Sequence, residues 1–287
     1  MSGSPALDIV IVSHQCRDLL AACLRSIEQH PYAGGATAVT VVDNASRDGT
    51  DELVLRQFPT VAFVPLPDNR GFSQANNVAL RDCRAERVLL LNPDTEVWAG
   101  VLDDMVAFLD AHPRAGIAGC RLLRRDGSFD HAAKRSFPSI SDAVRHFSHA
   151  GRSDHYLAAH VAEDGVGAVD AVNGAFMLVR RAALDEVGLL DGGFFMYGED
   201  LDWCYRAKRA GWDVLYNGEV STLHVKSGSA GSQRGLRQNW AFHGAMGRFY
   251  RKHHAGRHAL LDLVVYTAIV AKFGASAVGS AIARGIR

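Results

Sequence analysis

The chain has no excess of charge of either sign: Lys plus Arg and Asp plus Glu number 31 each among 287 residues. No global field therefore points to nucleic acid, and any basic surface must be local. Cysteine is sparse and unpaired in pattern. Cys16, Cys23, Cys83, Cys120 and Cys204 are odd in number, with no CxxC and no Cys/His zinc spacing. That pattern excludes a disulfide framework and indicates buried thiols in a reducing, cytoplasmic compartment. Two phosphate-binding signatures are missing. GxxxxGK[ST] occurs nowhere and GxGxxG does not follow the first apolar run, which disfavours nucleoside triphosphate hydrolysis and hydride transfer. The opening MSGSPALDIVIVS lacks a basic segment before its apolar stretch, so it reads as a first strand and not as a signal peptide.

What is present begins with a regular alternation. Apolar runs at 7–13, 38–43, 61–65, 88–92 and 116–120 are separated by helical patterns at 19–28, 49–58, 73–84 and 101–111. Strands alternating with helices predict right-handed βαβ units and an α/β, Rossmann-like, mostly parallel sheet flanked by helices. Such sheets bind ligands beyond the carboxyl ends of their strands, near a switch point. Ser13-His14, Asp43-Asn44, the loop 68–71 and Asn92-Pro93-Asp94 all follow apolar runs. Residues 122–167 are polar, rich in His and Arg and weakly periodic, which predicts a long excursion that orders when ligand binds. Order returns with a strand at 168–179, a helix from Arg181, a helix at 199–210 closed by Gly211, and strands near 212–216 and 219–224. No repeat or low-complexity linker divides these parts. The expected organisation is one domain over 1–232, with a nucleotide-binding half (1–120) and an acceptor-binding half (121–232). A C-terminal helical extension (233–287) follows.

Five stretches carry chemistry. In VVDNASRDGT, Asp43 leaves its strand before the turn begins, where a carboxylate can accept the imide N–H of a uracil or thymine ring; Asp48 and Thr50 suit capping. In DNRGFSQANN, Gly71 permits close backbone approach and opens a helix whose N–H groups can face a phosphate. Asn76 and Asn77 read either as contacts of that pocket or as a solvated helix face. In VLLLNPDTEV, Pro93 ends sheet pairing and throws Asp94 out at the strand tip. A carboxylate there suits an ordinary turn, or a hard divalent cation shared with diphosphate and water. In FFMYGEDLDWCYRAKRAGW, Glu199, Asp200 and Asp202 follow an aromatic, glycine-flanked loop. Acids favour a helix N-terminus electrostatically, and apolar walls around one of them make a competent base. Downstream, STLHVKSGSAG puts His224 and Lys226 at a strand end.

In this order, VVDNASRDGT, DNRGFSQANN, LLLNPDTEV, VNGAFMLVRR, GEDLDWCYRAKRAGW and HVKSG resemble family 2 of the inverting, nucleotide-sugar-dependent glycosyltransferases, over roughly residues 7–230. LNPDTE, VNGAFMLVRR and FFMYGEDLDWC are most similar to the rhamnosyltransferase branch. The resemblance implies the GT-A fold and transfer of L-rhamnose from dTDP-L-rhamnose to a cell-wall or polysaccharide acceptor, either glycan or polyprenyl-diphosphate-linked. Other donors of the same fold (UDP-GlcNAc, UDP-galactose, GDP-mannose) and a catalytically silent scaffold are the alternatives. It implies Mg²⁺ or Mn²⁺ at Asp94 with His224 as a second ligand, Asp200 as general base with Glu199 beside it, and Asp43 on the nucleobase. Ser13, His14, Asn69, Gly71, Phe72, Asn76, Asn92 and Lys226 fall on the nucleotide-sugar side; Asn173, Gly174 and Trp203 fall on the acceptor side. Two departures stand out. Asn92 replaces the first acid of the family's Asp-x-Asp motif, and the first strand ends in Ser13-His14-Gln15 where Thr/Ser-Tyr/Phe-Asn is usual.

Residues 259–283 are mostly apolar but interrupted by Asp262 and Lys272, short of the ~20 clean residues a spanning helix needs. Arg248, Arg251, Lys252, His253, His254 and Arg257 precede them. Two readings stand. One is an interfacial helix over 255–287 at anionic head groups on the inner face of the plasma membrane; the other is a packing or homodimer helix.

Overall fold

The computed structural model describes residues 4–137, 156–226, 236–256 and 258–285. β1 (Leu7–Ser13) is buried along its whole length, as expected for an apolar strand with helices on both faces. It pairs in parallel with β2 (Thr37–Asp43) on one side and β4 (Arg87–Leu91) on the other. β3 (Ala62–Pro65) lies outside β2, also parallel. The connecting helices are α1 (Arg17–Gln29), α2 (Thr50–Gln57) and α3 (Gly71–Leu80). The chain thus winds outward from β1 through β2 to β3, then returns to the opposite side of β1. That reversal creates a switch point, and Ser13, Asp43 and the β4 tip all lie at its mouth.

The second half departs from a purely parallel sheet. β5 (Thr95–Glu96) and α4 (Val101–Ala111) lead into β6 (Ala115–Leu123). Between β4 and β6 lies β10 (Phe176–Arg180), antiparallel to both. The sheet order is β3-β2-β1-β4-β10-β6-β11-β5, with β8 (Val166–Ala168) pairing β11 (Asp213–His224); these make nine strands. β7 (Lys134–Arg135) and β9 (Ala171–Val172) form a separate two-stranded ribbon. The architecture is therefore a mixed sheet flanked by helices.

Three predicted strands are corrected in detail. The run 168–179 breaks at Asn173–Ala175, because the Asn173 side chain accepts the Ala175 N–H (2.8 Å) and closes a turn. Conversely, 212–216 and 219–224 fuse into β11, with a register shift between Asn217 and Ser221 absorbing the irregularity. The fused strand runs on to pair with β5, opposing His224 to Thr95. His224 thereby arrives beside Asp94.

α5 (Arg181–Val187) and α6 (Glu199–Arg209) follow β10 in the chain. α7 (Leu236–His253) packs Ala245 and Phe249 against Phe194, ahead of α6. Lys252 and His253 of α7 both reach the fully buried Asp202 carboxylate, at 2.7 Å each, so α7 braces α6. The last helix, α8 (Ala259–Gly285), is long and apolar enough over Ala259–Ser276 to cross a bilayer, and none of that stretch is buried. Leu260, Leu263, Val264 and Val270 are exposed on it.

Candidate active site

Three groups of side chains meet at the carboxyl ends of the strands. The first surrounds the β2 tip. Asp43 is buried; its Oδ2 accepts the Ser46 N–H (3.0 Å), while Oδ1 has no partner among the described residues. A buried acceptor left unpaired is costly unless a ligand satisfies it. Beside it, Asn44 locks the 69–71 loop. Its amide donates to Asn69 Oδ1 (3.0 Å) and its Oδ1 accepts the Arg70 N–H (2.8 Å). His14, exposed, holds the Asn44 carbonyl through Nδ1 at 2.9 Å, which fixes the plane of its ring. Gly71 adopts φ +78, and a Cβ there would meet the Phe195 carbonyl oxygen at 2.4 Å. The close approach that glycine permits is to the chain's own aromatic loop, where Phe72 N–H donates to that carbonyl (2.7 Å).

The second group joins β4, β6 and β11. His224 Nε2 stands 3.4 Å from Asp94 Oδ1, and its Nδ1 stands 3.2 Å from Asp130 Oδ2. Lys226 Nζ contacts both Asp130 oxygens, at 2.9 and 3.2 Å. Burial works against a charge on His224, but hydrogen bonds to Asp130 and Asp94 outweigh it and push its pKa up to about 9. For Asp130, burial is likewise outweighed by His224 and Lys226, which hold its carboxyl well below the usual range.

The third group opens α6. Tyr197 (φ +70) and Gly198 (φ +80) are both left-handed. A non-glycine residue in that region stores strain of the kind found at functional sites. The sharp turn delivers Glu199 and Asp200 as the first helical residues, where the helix dipole favours acids. Asp200 is held from three sides. Arg135 donates to its Oδ2 at 2.5 Å, Gly174 N–H approaches the same oxygen (3.4 Å), and Leu201 N–H reaches Oδ1 (2.8 Å). Burial disfavours the Arg135 charge, yet the Asp200 charge more than offsets this and raises its pKa. Glu199 is buried with Oε2 unpartnered among the described residues, and burial together with the Asp200 charge pushes its pKa up to about 8. One member of this acidic pair therefore carries a proton near neutrality.

These groups are physically linked. Ala175 C=O accepts the Asn92 N–H (3.0 Å), so the 173–175 turn ties the β4 tip to the residue beside Asp200. An arginine-held carboxylate and a carboxylate–imidazole pair thus sit around one strand-end mouth. A family model described as glycosyltransferase-like family 2 matches residues 5–242. The chain belongs to that family.

Among similar proteins of this glycosyltransferase is the N-acetylglucosaminyl-diphospho-decaprenol L-rhamnosyltransferase of Mycobacterium tuberculosis. It is 29% identical over 216 residues, covering 68% of each chain. Rhamnosyltransferase WbbL of Escherichia coli is 27% identical over 227 residues, 75% of this chain and 82% of that one. In structure, the chain superposes on mannosyltransferase PcManGT from Pyrobaculum calidifontis, solved with GDP-Man and Mn²⁺. The TM-score is 0.63 at 19% identity, covering 98% of this chain and 74% of the other. The shared fold is GT-A.

Divalent metal ions occur in proteins of this fold, and the residues of this glycosyltransferase fit one. A carboxylate oxygen and an imidazole nitrogen 3.4 Å apart are suitable donors for Mn²⁺ or Mg²⁺. Among the described residues no group of three or more His, Cys, Asp or Glu is arranged to hold a metal. A cation at Asp94 and His224 would therefore take the rest of its coordination from phosphate and water.

Several expectations for the glycosyltransferase site are corrected. Trp203 is 1% exposed, with its indole N–H donating to Gly188 C=O (2.8 Å); it is a core residue and offers no face to an acceptor. Ser13 is fully buried with its hydroxyl on Cys16 Sγ, and Asn76 turns its amide back to Phe72 C=O (2.9 Å). Neither side chain of the two lines an open pocket. Asn77 is buried too, donating to Leu190 C=O, so the pair is not a solvated face. Asn69 and Asn173 spend their side chains on the loops they stand in, and Lys226 spends its ammonium on Asp130. Phe72 is half-buried, and the Asn92 Oδ1, beside Asp94, has no partner among the described residues.

Sequence reading missed Asp130 and Arg135. Both come from the segment predicted to be a polar excursion, of which 138–155 lie outside the described residues. Its first part is well built: a turn at Arg124–Gly127 folds it back so that Asp130 N–H reaches Leu122 C=O (2.9 Å). A single Asp or Arg in an aperiodic stretch carries no motif, so no local pattern flags it.

Proposed function

We propose that this glycosyltransferase moves L-rhamnose from dTDP-L-rhamnose onto a hydroxyl of a glycan carried by a polyprenyl diphosphate, with inversion at the anomeric carbon. The observation that carries the reading is the Asp94–His224 pair at the switch-point mouth of a GT-A domain. The rhamnosyl donor is supported by the two relatives named rhamnosyltransferases, and the lipid diphosphate by the decaprenol-linked one.

In this reading Asp43 Oδ1 accepts the thymine imide N–H and the tethered His14 ring lies against the base. Asp94 and His224 hold Mg²⁺ or Mn²⁺. Bound there, the cation supplies Lewis-acid stabilisation of the departing diphosphate. Asp200 takes the acceptor hydroxyl's proton as the new bond from oxygen to the anomeric carbon forms. The bond from that carbon to the diphosphate oxygen breaks, and its electron pair leaves with dTDP. Arg135 fixes the angle of the Asp200 carboxylate and balances its charge. Glu199 stays protonated, which spares the site a second buried negative charge. No sugar–enzyme bond is needed; a hydrolase would instead place two carboxyl groups around the scissile bond.

A thermal-shift panel tests this directly, using dTDP-rhamnose, UDP-GlcNAc, UDP-galactose and GDP-mannose, each with and without Mn²⁺. Selective, Mn²⁺-dependent stabilisation by dTDP-rhamnose is the expected outcome. A larger response to another donor would replace the sugar assignment, and no response to any nucleotide sugar would favour a silent scaffold.

A further inference from the structure

Asp130 lies outside every motif, yet it is almost fully buried beside His224. It is 1% exposed. Four groups converge on it. His224 Nδ1 (3.2 Å) and Lys226 Nζ (2.9 Å) come from β11 and just beyond, and Ala132 N–H (3.2 Å) from its own loop. Arg124 Nη2 approaches to 3.7 Å from the end of β6. The two nitrogens of His224 therefore face different environments. Nδ1 points inward to a fully enclosed carboxylate, and Nε2 points to Asp94, whose side chain is 18% exposed at the mouth. An imidazole pinned through one nitrogen has its ring plane set, and only the other nitrogen is left to bind anything. Asp130 itself cannot share that role, because it stands behind the ring and its oxygens are already occupied.

We infer that Asp130 is a positioning residue for the cation site: it fixes the His224 ring so that Nε2 is aimed, with Asp94, at a divalent cation. The inference rests on Asp94 and His224 being cation ligands, and it goes beyond that reading by assigning a supporting carboxylate from the β6–β7 connection. It also gives that connection a purpose. Over six residues it sends Asp130 to the cation side and Arg135 to Asp200. A purely structural role for Asp130 would be satisfied by Lys226 and Arg124 alone and would not need the imidazole.

The test is direct Mn²⁺ binding, followed by the loss of the free-ion electron paramagnetic resonance signal, with dTDP present and no sugar transfer required. Native chain, Asp130→Asn, His224→Ala and Asp94→Asn are compared, with melting temperature measured on each. Asp130→Asn is expected to bind Mn²⁺ about 10- to 100-fold more weakly, the usual cost of losing an outer-shell partner, while still melting cooperatively. Native affinity in folded Asp130→Asn, with His224→Ala and Asp94→Asn impaired, would overturn the positioning role and leave the cation site standing. Native affinity in all three variants would overturn the cation site itself. If Asp130→Asn does not fold, Asp130→Glu decides: it keeps the charge but displaces the ring, and native Mn²⁺ affinity there would overturn the proposal.

Discussion

Arg135 and Asp200 show how much a single pair is asked to do. Their side chains are about one-tenth exposed and meet at 2.5 Å. A buried charge left without its partner is strongly destabilising, by roughly 3–5 kcal/mol, although the intact pair contributes far less net stability. Arg135→Ala is therefore expected to lower the unfolding free energy by about that amount. Adding Asp200→Asn to it should restore part of the loss, because the orphaned carboxylate is gone. Denaturant unfolding of both single variants and the double variant measures the coupling; simple additivity would mean that the two side chains do not act as a pair. Individual residues were unequally legible from sequence. Asp43, Asp94 and His224 were singled out because each lies at or just past a strand end, where this class of sheet binds ligands. Trp203, placed on the acceptor side by the resemblance, is buried in the structure. The helix turns it inward, under the sheet, where its N–H meets Gly188.

At the scale of elements, the site is built by two approaches between stretches far apart in the chain. One is β11 reaching past its bulge to pair with β5, which delivers His224 to Asp94. The periodicity of 212–224 breaks at the bulge, so the sequence reads as two strands and conceals that one continuous strand makes the delivery. The other is the contact of the 69–71 loop with the aromatic loop before α6. Gly71 at φ +78 leaves no room for a side chain: the nearest Phe195 backbone atoms would lie at 2.4 and 2.9 Å from a Cβ. Gly71→Ala must move the loop that sets Glu199 and Asp200, and it also places alanine in a left-handed conformation. The expected result is a transfer rate reduced at least tenfold with a lowered melting temperature, read by coupled nucleotide release and calorimetry. A variant with native rate and stability would show that the two loops do not depend on each other. The alternation of strands and helices through residue 123 was plain from apolar periodicity. The antiparallel β10 was not, because strand direction leaves no mark on a short apolar run.

Taken whole, the molecule is a GT-A glycosyltransferase whose switch point gathers three chemistries: a buried carboxylate at β2 with one oxygen unpartnered among the described residues, a carboxylate–imidazole pair between β4 and β11, and an arginine-held carboxylate at the start of α6. The β6–β7 connection supports the last two, and α7 braces α6 through Asp202. In the proposed function Asp200 is the base of an inverting transfer, separate from the nucleotide-binding residues. The most direct measurement pairs two readouts on Asp200→Asn: the rate of rhamnosyl transfer from dTDP-rhamnose and the affinity for dTDP-rhamnose. General-base catalysis typically contributes about 10²–10⁴ in rate, so a loss of that size with affinity within about threefold of native is expected. Transfer at the native rate by folded Asp200→Asn would contradict it.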